Sequence, residues 1–216
     1  MALFARAGLY LVTSQELSAG RTTLEVVEAA LRGGIRLVQL REKSMPFEKL
    51  VALARQVRAL TRRYEALLII NDRVDLALAV DADGVHLGQH DSPVEEARAL
   101  APDLIIGASS HSIGEAERAG AAGASYLNIG PLFPTTTKQW SDAFLGLEGL
   151  DRIRGHARIP FTVMGGIKAD HIPELVRHGA RTIAMVTAVT MAPDPEQAAR
   201  DMLSLIRTSL TAAAAV

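Results

Sequence analysis

The chain has 216 residues, of which 49% are apolar, with a formal net charge of −1 and no cysteine. Its length suits one large domain with a sizeable core, and an α/β barrel reaches this size as a single unit. The near-neutral charge argues against a nucleic-acid-binding surface, and the missing cysteines exclude disulfides, thiolate nucleophiles and thiolate-bound metals. No apolar run is long enough to cross a membrane, so we expect a soluble cytoplasmic protein.

Eight short apolar runs recur along the chain, and each is followed by a helical pattern. They predict strands at residues 9–13, 36–41, 67–72, 84–89, 104–109, 126–131, 161–166 and 182–188. These runs are continuously apolar and do not alternate, which is typical of parallel strands that are buried on both faces.

The segments between these runs carry helical spacing and helix-end signals. Residues 22–34 begin with Thr22 as an N-cap and end in Gly33-Gly34, and residues 46–64 begin with a proline in the first turn. The remaining helices are predicted at 74–80, 92–100, 112–123, 147–156, 169–179 and 194–207. Eight strand–helix units in series predict a single (β/α)₈ TIM barrel over residues 1–216, with a frayed tail from residue 210. An open doubly wound sheet is the alternative, although no GxGxxG motif follows the first run.

Polar residues follow most of the predicted strands at the same end. In a barrel of this kind the active site lies at the carboxyl ends of the strands. The residues at these positions include Gln39, Arg41 and Lys43 after the second strand, and Asn71 and Asp72 after the third. Arginine and lysine together suit a phosphate group, although they could also be ordinary surface charges.

Two aspartates, Asp72 and Asp91, follow adjacent strands. Each has an alternative interpretation as a helix N-cap, as has Asn71, and for Asp91 alone the cap is the preferred interpretation. Together the two carboxylates could share one hard cation, which prefers oxygen ligands and retains several waters.

A second candidate anion site follows strands seven and eight. Gly165-Gly166 would open a helix and let backbone N–H groups approach an anion, and Val186-Thr187 end the next strand. His86 lies inside the fourth strand, where we expect a core histidine with satisfied hydrogen bonds. The polar residues at this end of the barrel therefore predict two anion sites that bring two phosphorylated groups together.

Seven motifs in chain order resemble the thiamine-phosphate synthase family: QLREK, INDRVDLA, DGVHLGQ followed by Asp91, GASSHS, GPLFPTTTK, MGGI and MVTAV. The resemblance runs over nearly the whole chain. It implies a transferase of thiamine biosynthesis that joins 4-amino-2-methyl-5-hydroxymethylpyrimidine diphosphate to 4-methyl-5-(2-phosphoethyl)thiazole. The products would be thiamine phosphate and diphosphate, and Mg²⁺ would be required.

The resemblance also implies roles for individual residues. Asp72 and Asp91 would bind Mg²⁺, and Arg41, Lys43 and Lys138 would stabilise the departing diphosphate. The residues expected to bind the pyrimidine diphosphate are Gln39, Leu40, Arg41, Glu42, Lys43, Asn71, Ser109 and Lys138. Those expected at the thiazole phosphate are Thr135, Thr136, Thr137, Gly166, Val186 and Thr187.

Three positions depart from the family pattern without removing an expected ligand: His90, Ser125 and Thr187. The alternatives are a thiazole tautomerase, a catalytically inactive binding protein, and a phosphosugar isomerase. The isomerase would need a general base at a strand end, and Glu42 is the only glutamate at such a position.

Overall fold

In the computed structural model of this protein the described residues are 1–135, 137 and 142–214. Eight parallel strands close into a barrel in chain order, because the last strand pairs with the first. The strands are β1 (Leu9–Val12), β2 (Leu37–Leu40), β3 (Leu67–Asn71), β4 (Gly84–Leu87), β5 (Ile105–Ser110), β6 (Tyr126–Ile129), β7 (Phe161–Val163) and β8 (Ile183–Met185). The barrel is the predicted fold, and the open sheet is excluded by the pairing of β1 with β8.

Helices surround the barrel. Among the described residues they are α1 (Ala2–Ala5), α2 (Thr23–Arg32), α3 (Phe47–Arg63), α4 (Val74–Ala79), α5 (Val94–Leu100), α6 (Ile113–Ala121), α7 (Gly146–Arg154), α8 (Ile172–Arg177), α9 (Thr187–Thr190) and α10 (Pro195–Ala214). Short 3₁₀ turns at Gln15–Leu17 and Ala169–His171 precede α2 and α8. No helix in the described part of the chain is long and apolar enough to cross a lipid bilayer.

The outer core lies between the strands and the helices. Strand side chains alternate between the two faces of the barrel wall, so Leu9 and Leu11 point outward and join the layer under the helices. The helix that follows begins as predicted: the Thr22 hydroxyl accepts from the Glu25 N–H, and the Glu25 carboxylate accepts from the Thr22 N–H. This reciprocal cap satisfies two N–H groups that have no partner within the helix.

The inner core fills the barrel and is partly polar. Tyr10 and Tyr126 point inward from β1 and β6 and are fully buried. Phe4 of α1 packs against them at the amino end of the barrel, with its ring centroid 4.4 Å from that of Tyr126. The short helix α1, which the sequence patterns did not predict, therefore closes the end of the barrel opposite to the predicted site.

Several strands end earlier than predicted. Asp72 and Gly165 have φ values of +64° and +100°, and Gly166 has +62°. A positive φ lies outside the β region, so β3 and β7 end before these residues. Residues 210–214, which the sequence assigned to a tail, continue α10.

Candidate active site

A cleft of about 700 Å³ opens at the carboxyl ends of the strands. Its wall includes Val12 at the end of β1, Arg41 just after β2 and Ser109 on β5. The opposite side is formed by the segments that follow β6, β7 and β8. The cleft lies at the end of the barrel where the sequence predicted the functional residues.

Arg41 supplies a positive charge to the cleft. Its backbone N–H donates to the Thr13 hydroxyl at 2.9 Å, which ties the end of β2 to the end of β1. Burial lowers the pKa of Arg41, while the nearby carboxylates of Asp72 and Glu42 act in the opposite direction. Arginine remains charged in proteins, so a partly buried guanidinium here is a strong binding group for an anion.

The structure brings together Asp72 and Asp91, the two aspartates predicted to share a cation. The pKa of Asp91 is raised, first by burial and then by a hydrogen bond with the Asp72 carboxyl group. The Asp91 carboxylate also accepts from the Gly88 N–H at 2.6 Å. The Lys43 ammonium lies 3.0 Å from the Asp72 carboxylate, so a positive charge already sits beside the pair.

The helix-cap interpretation of these residues is wrong. Helix α4 is preceded by Arg73 and α5 by Pro93, and neither helix has a side-chain cap. Asp91 instead bonds to the turn that follows β4. Asp72 holds a left-handed backbone conformation, its N–H donating to the His86 carbonyl at 2.8 Å. A sparsely populated conformation of this kind is common at functional sites.

Gln39, Asn71 and Ser109 belong to the inner face of the barrel. Gln39 is 2% exposed, and its amide nitrogen donates to the Tyr10 hydroxyl at 2.7 Å. Asn71 ends β3 in register with His86 of β4. The Ser109 hydroxyl is 3.0 Å from the His86 Nε2 atom and lines the cleft. Their strands carry all three toward the carboxyl end of the barrel.

The side chains of Leu40 and Glu42 do not reach the cleft. Leu40 is buried in the outer core. The two Glu42 oxygens accept from the Thr23 hydroxyl and the Gln15 N–H, both at 2.8 Å. Alternation along β2 places these neighbours of Gln39 and Arg41 on the other face of the wall. Glu42 is therefore a structural anchor and is not available as a general base in the cleft.

The loop that follows β6 packs directly on the Gly165-Gly166 pair. The Leu132 N–H donates to the Met164 carbonyl at 2.9 Å, and the Phe133 N–H donates to the Gly165 carbonyl at 3.0 Å. A Cβ atom on Gly166 would overlap the Pro134 carbonyl oxygen and lie 2.7 Å from that of Phe133. The two glycines are thus required by this contact as well as by their backbone conformation.

The threonines of GPLFPTTTK are described only in part. Thr135 and Thr137 line the cleft, and the Thr137 N–H donates to the Thr135 hydroxyl at 3.2 Å. Thr136 and Lys138 lie outside the described residues. Their predicted roles stay predictions.

The helix that begins at the second candidate anion site follows β8, whereas the sequence predicted one directly after β7. Gly165-Gly166 do not open a helix, because α8 begins only at Ile172. Instead α9 begins at Thr187, directly after Val186, and both residues line the cleft. The first N–H groups of a helix have no partner within it, so this turn offers backbone donors to the cleft.

Comparisons with known proteins identify the family of this chain. The thiamine monophosphate synthase family model matches residues 9–189. Thiamine-phosphate synthase of Chloroflexus aurantiacus is 48% identical over 198 residues, covering 92% of each chain. That of Archaeoglobus fulgidus is 42% identical over 199 residues, covering 92% of this chain and 93% of its own.

The chain belongs to the thiamine monophosphate synthase family. A solved structure, thiamine phosphate pyrophosphorylase from Pyrococcus furiosus, superposes with a TM-score of 0.88 at 40% identity. The match covers 96% of this chain and 99% of that one. The sequence resemblance to the family is confirmed.

Some residues that line the cleft of this thiamine monophosphate synthase family member were not predicted from the sequence. Lys168 lines it three residues beyond Gly165, and Phe144 and Met164 contribute apolar surface. The position of Lys168 directly after MGGI was a usable signal. His86 is buried, as predicted, but its contact with Ser109 was not foreseen, because cross-strand neighbours follow only from the register of β4 and β5.

Proposed function

We propose that this protein joins 4-amino-2-methyl-5-hydroxymethylpyrimidine diphosphate to 4-methyl-5-(2-phosphoethyl)thiazole, giving thiamine phosphate and diphosphate. The observation that supports these substrates is one cleft with two different surfaces for anions. Arg41 and Ser109 lie on one side, and Gly166, Val186 and Thr187 lie on the other. We infer that the two phosphorylated substrates of this thiamine monophosphate synthase family member bind to these two surfaces at the same time.

The reaction breaks the bond between the pyrimidine methylene carbon and the diphosphate oxygen. The electron pair leaves with the diphosphate, and the carbon becomes a cation that the ring amino group stabilises. The thiazole nitrogen then donates its lone pair to that carbon, which forms the new bond. Neither step needs a nucleophile from the protein, so preorganised charge and orientation account for the catalysis.

Arg41 is suited to the diphosphate because its guanidinium is charged, partly buried and directed to the cleft. Preorganised donors near developing negative charge commonly contribute about 10²–10³ in rate each. Lys43, at the adjacent carboxylate pair, supplies a second cation at the same rim. Lys138 is proposed for the same task from the family resemblance.

The carboxylate pair fits a magnesium ion. Asp72 and Asp91 are close enough for a hydrogen bond, and the pKa of Asp91 is raised by burial and by its neighbour, so a cation would relieve their repulsion. No group of three or more acidic, histidine or cysteine side chains suited to a metal occurs among the described residues. Two carboxylates are enough for Mg²⁺, which takes its other ligands from water and phosphate. When bound, the ion would neutralise charge on the diphosphate.

The thiazole phosphate is proposed to bind between Gly166 and the start of α9. Backbone N–H groups at Thr187 and Ala188 can donate to its oxygens. The apolar side chains of Met164 and Phe144 suit the thiazole ring. The thiazole ring would then lie across the cleft from Arg41 and Ser109, where the pyrimidine diphosphate is proposed to bind.

The experiment mixes purified protein with both substrates and Mg²⁺ and measures thiamine phosphate and diphosphate by mass spectrometry. We expect one diphosphate per thiamine phosphate, and loss of both products when a chelator removes the metal. The Asp72→Ala variant is expected to be inactive while it retains the fold by circular dichroism. Folded wild-type protein that binds both substrates and forms no product would refute the proposed function.

A further inference from the structure

Five polar side chains form one continuous hydrogen-bonded chain inside the barrel. The distances are 2.7 Å from the Gln39 amide nitrogen to the Tyr10 hydroxyl and 2.9 Å between the two tyrosine hydroxyls. The Tyr126 hydroxyl is 3.0 Å from His86 Nδ1, and His86 Nε2 is 3.0 Å from the Ser109 hydroxyl. The members of this interior chain are, in order, Gln39, Tyr10, Tyr126, His86 and Ser109.

The direction of the interior chain, meaning which group donates and which accepts in each hydrogen bond, follows from counting its protons. An amide nitrogen only donates, so the Tyr10 oxygen accepts from Gln39. The Tyr10 proton then has the Tyr126 oxygen as its partner. The Tyr126 proton in turn is left for His86 Nδ1. With the Gln39 amide nitrogen directed at Tyr10, the reverse order of donors would leave the Tyr10 proton without an acceptor in the core.

His86 passes this direction on to Ser109. Both ring nitrogens bond to neutral hydroxyl groups, and the ring is 5% exposed, where a charged imidazole is disfavoured, so the imidazole carries one proton. Because Nδ1 accepts from Tyr126, that proton sits on Nε2 and is donated to the Ser109 oxygen. The Ser109 hydroxyl proton is then not used in any hydrogen bond of the interior chain.

We propose that the interior chain acts as a positioning device, which turns the Ser109 hydroxyl so that it donates its proton into the cleft. A diphosphate only accepts hydrogen bonds, so this direction matches the leaving group, and the reverse direction would present a lone pair to it. The identity of that anion rests on the proposed function, whereas the direction of the chain does not. Tyr10, Tyr126 and His86 are positioning residues, since Ser109 alone faces the cleft.

Packing holds the interior chain in place. A Cβ atom at Gly107 of β5 would overlap the ring of Tyr126, so only glycine leaves room for this side chain. Phe4 contacts the Tyr126 ring from the other side, at a centroid distance of 4.4 Å. The tyrosine hydroxyls therefore have little freedom to exchange partners.

The test is the tautomer of His86, measured by two-bond ¹H–¹⁵N correlation spectra of the ligand-free protein at neutral pH. We expect a proton on Nε2 in the wild type and in Tyr10→Phe, where Tyr126 still donates to Nδ1. Tyr126→Phe removes that donor and is expected to give a mixture of tautomers. Each variant deletes one buried hydroxyl, so the two are matched in their cost to packing.

Kinetics complete the test. Tyr126→Phe is expected to lower kcat about tenfold, the worth of one hydrogen bond, with little change in KM for the thiazole phosphate. A wild-type His86 protonated on Nδ1, or an unchanged tautomer and kcat in Tyr126→Phe, would overturn the inference and leave the proposed function intact. Inactive wild-type protein with His86 protonated on Nε2 would instead support the direction of the chain and refute the proposed function.

Discussion

Asp72 and Glu42 both follow a strand end at the rim of the barrel but have opposite surroundings. Asp72 sits beside Lys43 and Asp91, whereas Glu42 bonds to Thr23 and Gln15 outside the cleft. Asp72→Asn is expected to lower kcat/KM by at least about 10² because it removes a charged ligand of the proposed metal.

The matched control is Glu42→Gln, whose amide oxygen can accept from the Gln15 N–H while its NH₂ group donates to the Thr23 hydroxyl oxygen, so it should retain most activity. Both variants are compared by steady-state assay at saturating Mg²⁺. A severe loss in Glu42→Gln together with an active Asp72→Asn would favour an isomerase that uses Glu42 as its base.

His86 makes the stability of the protein depend on pH. Its pKa falls from the ordinary 6.5 to about 4 on folding, because burial disfavours the charged ring. Between these pH values the unfolded chain binds a proton at His86 that the folded chain does not bind. The contribution of the neutral His86 ring to the free energy of unfolding is therefore fully present above pH 6.5 and is lost as the pH falls toward 4. The full loss is about 3 kcal/mol.

Urea unfolding of wild type and His86→Gln at several pH values checks this. The free energy of unfolding should fall less steeply on acidification in the variant, because glutamine does not titrate. Parallel curves for the two proteins would show that other groups cause the acid loss.

At the scale of elements, the contact between the loop after β6 and the Gly165-Gly166 pair shapes one side of the cleft. Gly166→Ala forces a Cβ atom against the carbonyls of Phe133 and Pro134, so the loop must move. We expect KM for the thiazole phosphate to rise about tenfold or more, with a smaller effect on KM for the pyrimidine diphosphate.

Gly20→Ala is the control for backbone strain, since Gly20 also has a positive φ, +81°, and a methyl group at this position would have nothing within 4 Å of it. If both variants raised KM for the thiazole phosphate equally, the loop contact would not be the cause.

Helix α1 contributes to stability through one side chain. Phe4 is 1% exposed and packs on both tyrosines of the inner core. Phe4→Ala is expected to lower the free energy of unfolding by about 3–5 kcal/mol, as for other buried aromatic truncations. Leu3→Ala, at a position that is 38% exposed, should have a small effect. Equal denaturation midpoints for the two variants would contradict the stabilising contact between α1 and the inner core.

At the scale of the whole molecule, the repeat of apolar runs and helical segments was sufficient to predict the barrel. Each strand must be buried on both faces, which leaves a strong and regular signal in the sequence. Strand ends were less predictable, because the positive φ of Asp72 and Gly166 depends on contacts with other strands and loops.

The candidate site was predictable where a charged residue directly follows a strand, as for Arg41 and Asp72. It was not predictable where alternation along a strand decides whether a side chain faces the cleft or the outer core. Leu40 and Glu42 share a motif with Gln39 and Arg41 but face away from the cleft. The link between His86 and Ser109 likewise needs the register of two strands, which no single segment encodes.

The most direct test of the account is a crystal structure of the protein with Mg²⁺, thiamine phosphate and diphosphate. We predict that the metal contacts Asp72 and Asp91, the diphosphate contacts Arg41 and Ser109, and the thiamine phosphate group lies against Gly166 and Thr187. Products bound outside this cleft, or a metal bound away from both aspartates, would contradict the account.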